Sequence, residues 1–183
     1  MTPDIDAVIS EAVAGSERAL GRLLKLVERD EASASHILSK IESLSGVLRL
    51  GVTGSPGSGK SSLIDRLISV IRSEGLTVGV ICVDPSSPVT GGAVLGDRIR
   101  MERHYSDEGV FIRSMASRGG QGGVAKAVGA AVELLGACGR DVVIVETVGL
   151  GQEGIEVTKL VDVTVLVLEP GSCDGMQLMK AGI

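Results

Sequence analysis

The sequence predicts an α/β fold: a mainly parallel β-sheet flanked by helices, preceded by a helical segment over residues 1–45. Three observations carry this. From Val47 onward, apolar strand-like runs alternate with amphipathic helical patterns, the order that right-handed crossovers turn into a parallel sheet. Apolar residues make up 44 % of the 183 and aromatics only 1 %. The core is therefore Val, Leu, Ile and Ala, and a core rich in β-branched residues suits a parallel sheet buried on both faces. Finally, a Gly/Ser loop lies between a strand pattern and a helix pattern, at the carboxyl end of the strand, where open parallel sheets bind their ligands.

The elements follow in chain order. Thr2-Pro3-Asp4 opens a helix, with a capping hydroxyl and a proline in the first turn. Ile5, Val8, Ile9, Ala12 and Val13 then share one face. Leu20, Leu23, Leu24 and Val27 form a second apolar stripe, and Ile37, Ile41 and Leu44 a third. These stripes pack on the body of the domain or form a partner-binding arm. Residues 46–183 form the second unit, with strands at Leu48–Thr53, Thr77–Val83, Val110–Arg113, Asp141–Glu146 and Val163–Leu168. Helices fill Ser61–Glu74, Gly123–Leu135 and Glu153–Leu160, and Asp97–His104 reads as a short one.

Gly54-Ser55-Pro56-Gly57-Ser58-Gly59-Lys60-Ser61 matches the phosphate-binding loop of P-loop NTPases. Its glycines, Gly54, Gly57 and Gly59, let backbone amides turn toward a phosphate chain, and the helix N-terminus adds partial positive charge. Ser55, Ser58 and Ser62 lie along the same stretch. Lys60 reaches the β and γ phosphates, and the Ser61 hydroxyl completes a Mg²⁺ shell. The motif implies a bound nucleotide.

Glu146 ends the apolar strand Val142–Val145, where a Walker B acid belongs, and as a buried carboxylate it requires a partner. Gly149 follows, placed to donate its amide to a γ-phosphate. Ras-like switches carry a glutamine directly after this glycine; here Leu150 intervenes and Gln152 comes two positions later. Asp84, at the end of its strand, and Asp97 are candidates for Mg²⁺ or its waters, or simply for loop capping. Arg118, between Ser117 and Gly119, is a candidate contact to phosphate or to a partner's carboxylate.

Composition excludes other classes. A formal net charge of −5 opposes general nucleic-acid or anionic-membrane binding, which want a basic surface. No run has the length or character of a transmembrane helix or signal peptide. Cys82, Cys138 and Cys173 are widely spaced, and the only histidines are His36 and His104, so a zinc or nickel cage is not expected. The reading is cytoplasmic and reducing.

In their order and spacing, the phosphate loop, Asp84-Pro85-Ser86-Ser87-Pro88, Gly96-Asp97-Arg98-Ile99-Arg100-Met101, Ser117-Arg118-Gly119 and Glu146-Thr147-Val148-Gly149 resemble the methylmalonyl-CoA mutase-associated GTPases. Pro170-Gly171 with Asp174, Gln177 and Lys180 completes the set. These proteins are also described as lysine/arginine/ornithine transport-system kinases, and the resemblance runs from about Ala19 to Ile183. It implies a SIMIBI-class P-loop NTPase that binds GTP or GDP with Mg²⁺ and hydrolyses GTP. Its role would be to chaperone an adenosylcobalamin-dependent acyl-CoA mutase through cofactor loading and protection. By the same likeness Ser61, Asp84, Asp97 and Glu146 form the magnesium site and Lys60 and Glu146 the catalytic pair. Gln152 and Glu153 would lie in a switch, and Asp174 and Lys180 in a loop that contacts the mutase. Ser55 replaces a proline that is usual in the family. The guanine-reading Asn-Lys-x-Asp motif and the dimerisation region of the family do not occur before Ile183, so the resemblance implies a carboxyl-terminal truncation of a homodimeric relative.

Three other readings stand beside this one. A nickel-delivery GTPase shares the Glu-Thr-x-Gly switch but carries metal-binding Cys or His clusters. A kinase needs an acceptor pocket with a base. A nucleotide-binding module without hydrolysis is the third.

Overall fold

The computed structural model describes residues 4–41, 46–85, 101–117, 123–147 and 158–169. Three helices open the chain: α1 (Ile5–Val13), α2 (Glu17–Arg29) and α3 (Glu31–Lys40). Each begins at a side-chain cap. The cap of α1 is Asp4, which accepts from the Asp6 amide at 3.1 Å, whereas Thr2 and Pro3 lie outside the described residues. Ser16 caps α2 through the Ala19 amide. Asp30 closes α2 and opens α3, accepting from the Ser33 amide at 2.7 Å and its hydroxyl at 2.8 Å. Those bonds hold the Asp30 carboxyl below its ordinary range.

The rest alternates strand and helix: β1 (Leu48–Gly54), α4 (Lys60–Ser73), β2 (Val78–Pro85), a 3₁₀ turn (Glu102–His104), β3 (Val110–Ser117), α5 (Gly123–Ala137), β4 (Val142–Thr147) and β5 (Val163–Val167). All pairings are parallel, in the order β3-β2-β4-β1-β5. Strand β3 runs four residues beyond the Arg113 boundary expected from sequence. The polar Ser114 does not end it, because the pairing with β2 continues to Pro85↔Ser117. The helix expected at Asp97–His104 is described only as the turn Glu102–His104, and of Glu153–Leu160 only residues 158–160 are described.

Side chains alternate across the sheet into two apolar layers. On one face Val52, Val80, Cys82 and Ile144 pack with Ile64 and Ile68 of α4. On the other, Ile81, Val83, Val143 and Val145 pack with Val128, Ala131 and Leu135 of α5, and the same cluster takes in Leu20, Leu23, Leu24 and Ile37 of the amino-terminal helices. The apolar stripe of α2 and Ile37 of α3 are therefore buried against the sheet's helical layer, Ile41 is half-buried, and Leu44 lies outside the described residues. Among the described residues no helix is long and apolar enough to cross a membrane.

Two positions constrain this frame. Gly54 has φ of 150°, and a Cβ there would overlap the carbonyl oxygen of Val167 on β5. The chain can turn from β1 into the loop so close to β5 only without a side chain. At the opposite end of the sheet, Asp141 accepts from the Thr77 amide at 2.8 Å and its hydroxyl at 2.7 Å, joining the starts of β2 and β4.

Gly54→Ala should lower unfolding free energy by about 2–4 kcal/mol in urea titrations, from overlap and backbone strain together. Asp141 yields a pH signature. The Thr77 bonds lower its pKa below the ordinary 3.8. Its contribution is thus complete above that value and is lost as pH falls through and below it. Asp141→Ala should cost about 1 kcal/mol near neutral pH, a modest figure because the group is exposed, and should flatten the acid limb of the stability curve below pH ~4.

Candidate functional site

The register of β1 against its two neighbours builds the site. Val52 pairs with Glu146 on β4, and Gly54 pairs with Val167 on β5. The loop from Ser55 to Gly59 therefore leaves the sheet beside the carboxyl ends of both strands. Gly57 and Gly59 take left-handed backbone, with φ of 85° and 93°. Gly59 is the residue before α4, which has no side-chain cap, so the first amides of the helix stay turned toward the loop.

Lys60 is the first residue of α4 and only 6 % exposed. Its Nζ donates to the carbonyls of Gly54 at 3.0 Å and Ser55 at 2.9 Å. An ammonium and a helix N-terminus share one sign of charge, so their juxtaposition favours an anion between them. The Ser58 hydroxyl oxygen is buried in the same loop without a hydrogen-bond partner. Ser62 is exposed on the first turn of the helix.

Ser61 lies beneath the loop, 4 % exposed, and its hydroxyl donates to Glu146 Oε1 at 2.9 Å. Glu146 is 2 % exposed at the end of an otherwise apolar strand. Its second oxygen, Oε2, lies 3.8 Å from Cys82 Sγ, whose strand β2 registers Cys82 against Glu146. One residue further along, the Thr147 hydroxyl donates to that of Thr53 at 2.9 Å, joining β4 to β1 through side chains. The buried carboxylate is thus met by a hydroxyl and a thiol from separate elements, which lowers the cost of burying it.

Gly54, Ser55, Gly57, Ser58, Gly59, Lys60, Ser61 and Glu146 are thereby brought together. The backbone of Asp84 is placed at the end of β2, in register with Ala116 of β3. Asp97, Arg118, Gly149, Gln152, Glu153, Asp174 and Lys180 lie outside the described residues. The sequence gives Cys82 no site role; its place beside Glu146 follows only from the register of two strands distant in the chain. Thr53 and Thr147 carried a weak local signal, as polar residues ending apolar strands. Cys138 stays inert: burial pushes its thiol up to about 11.

One more cluster borders α4. Asp65 accepts from Arg103 Nε at 2.6 Å and sits 3.0 Å from His104 Nε2. These contacts fasten the turn after residues 86–100 to the helix that carries Lys60 and Ser61.

Comparison with known proteins agrees with this geometry. The family model described as "Methylmalonyl Co-A mutase-associated GTPase MeaB" matches residues 20–183. A protein of Pyrococcus abyssi named as a GTPase is 54 % identical over 180 residues, covering 98 % of this chain and 56 % of its own length. GTPase ArgK of Escherichia coli K12 is 41 % identical over 187 residues, covering 97 % of this chain and 56 % of its own. The chain thus spans about half the length of the curated relatives it matches. A crystal structure of a LAO/AO transport system kinase superposes with a TM-score of 0.69 at 28 % identity, over 99 % of this chain and 61 % of that one. The phosphate loop, the buried serine–glutamate contact beneath it and the parallel sheet that joins them belong to a chain of the methylmalonyl-CoA mutase-associated GTPase family.

Proposed function

We propose that this chain is the nucleotide-binding part of a GTP-hydrolysing chaperone that serves an adenosylcobalamin-dependent methylmalonyl-CoA mutase in the cytoplasm, assisting cofactor loading and protection. The observation that carries the nucleotide reading is the buried Lys60 ammonium at an uncapped helix N-terminus, held by carbonyls of its own loop. The mutase assignment draws its support from the family description.

In this reading Lys60 exchanges its two carbonyl partners for β- and γ-phosphate oxygens. The amides of Gly57 to Ser61 close around the phosphate chain, and the Ser58 hydroxyl gains the partner that its buried position calls for. Ser61 and Glu146 together present hard oxygen donors, the chemistry that magnesium selects. We assign the ion to Ser61 and Glu146, with Asp84 and Asp97 as further acids; once bound it would offset the charge gathering on the phosphate oxygens. Cys82 and the backbone of β4 keep the Glu146 carboxylate oriented toward Ser61. Gly149 senses the γ-phosphate, Gln152 and Glu153 form the adjoining switch, and Arg118 contributes charge near the phosphates. Asp174 and Lys180 meet the mutase. Guanine preference and homodimer formation are drawn from the family resemblance.

Calorimetry with GDP and with ADP, each with Mg²⁺, tests both halves of this reading: binding that favours GDP is expected, absent binding sinks the nucleotide site, and equal binding sinks the guanine preference. Lys60→Ala should weaken GDP binding by about 10–100-fold, the worth of charge-assisted hydrogen bonds, and unchanged affinity would dismiss the phosphate loop. Glu146→Gln should reduce Mg²⁺-dependent hydrolysis far more than it reduces nucleotide affinity. Equal losses in both would place the metal elsewhere.

A further inference from the structure

We propose that Glu28, on helix α2, is a positioning residue for the metal-binding end of the site, acting through the carboxyl end of β3. The inference rests on the magnesium assignment above and extends it to a residue that no site motif contains.

Among the described residues β3 is an edge strand, with β2 as its single neighbour. An amide that turns away from β2 has no strand to bond and needs an acceptor from elsewhere. Glu28 supplies one: its Oε1 accepts from the Ala116 amide at 3.2 Å. Its Oε2 accepts from Arg113 Nη2 at 3.0 Å, which balances the carboxylate's charge. The Glu28 and Arg113 side chains are only 17 % and 18 % exposed, so solvent screens the pair weakly.

The place of the contact gives it meaning. Ala116 is the register partner of Asp84, and Cys82, two residues earlier on the same strand, registers against Glu146. The carboxylate of Glu28 therefore pins the end of β3 opposite the backbone of Asp84, two residues beyond the level at which Cys82 meets Glu146. Support that sets the backbone of a proposed ligand through its neighbouring strand bears on metal affinity as outer-shell contacts do.

A merely structural role predicts a different outcome, and two double variants separate them. Glu28→Met with Arg113→Met removes the ion pair without stranding a charge, and it also removes the Ala116 acceptor. Glu28→Gln with Arg113→Met removes the ion pair but keeps an acceptor for that amide. In the 183-residue chain, the Mg²⁺ affinity of the GDP complex is measured by calorimetry and Ala116 amide exchange by hydrogen–deuterium exchange without nucleotide or metal.

The methionine pair should weaken Mg²⁺ about tenfold and speed Ala116 exchange, while the glutamine variant returns both toward wild type. Unchanged Mg²⁺ affinity in a folded methionine pair overturns the role of Glu28. So does a glutamine variant no better than the methionine pair, since the ion pair alone would then matter. If wild-type GDP binding itself is indifferent to Mg²⁺, the magnesium reading fails and this inference falls with it, a result distinct from the other two.

Discussion

The parallel pairing of β1 with β4 is the constraint on which the rest depends. Leu48↔Val142 through Val52↔Glu146 sets where each strand stops, and both chemistry-bearing ends follow from it. Slip that register by one residue and Glu146 would turn to the opposite face of the sheet, away from Ser61. The pairing is secured at both ends. The Asp141 carbonyl accepts from the Leu48 amide at 3.0 Å at one end, and the Thr53–Thr147 hydroxyl bond ties β4 to β1 at the other. Between these polar ties every residue of β4 is buried.

The site concentrates polar atoms where the fold would otherwise be driest. Lys60, Ser61, Thr53, Glu146 and Thr147 are all under 7 % exposed and lie within one corner of an aliphatic core. In such surroundings an unmatched polar atom is costly, so partners are supplied by several elements at once. Lys60 takes carbonyls from its own loop, and Glu146 takes Ser61 from α4 and Cys82 from β2. The result is a cluster whose geometry is set by the sheet, leaving the loop's glycines to supply its freedom.

Much of this was legible in the sequence, for reasons that differ by residue. The strands were readable because apolar runs such as Val142–Val145 are bounded by charge and turn residues, and the phosphate loop because its spacing is a local property. Where β3 ends was not readable: Ser114 and Ser117 look like loop, and only the partner strand keeps them extended. The cap at Asp4 was misplaced onto Thr2 because both residue types cap helices and only the backbone chooses between them. Cys82 and Glu28 escaped notice for one shared reason. Their partners lie 64 and 88 residues away, and no local pattern announces such a meeting.

The position of β1 inside the sheet also governs the order in which the molecule can assemble. Its contacts to β4 and β5 span 94 and 113 residues of chain, as the Thr53–Thr147 and Arg49–Asp162 bonds show. Closing loops of that length costs entropy before any pairing rewards it, so contacts of this kind form slowly. The three amino-terminal helices and α4 can form from local contacts, whereas the strand that bears the phosphate loop must wait for partners made much later by the ribosome. Nucleotide competence is then gained only after β4 and β5 have been made.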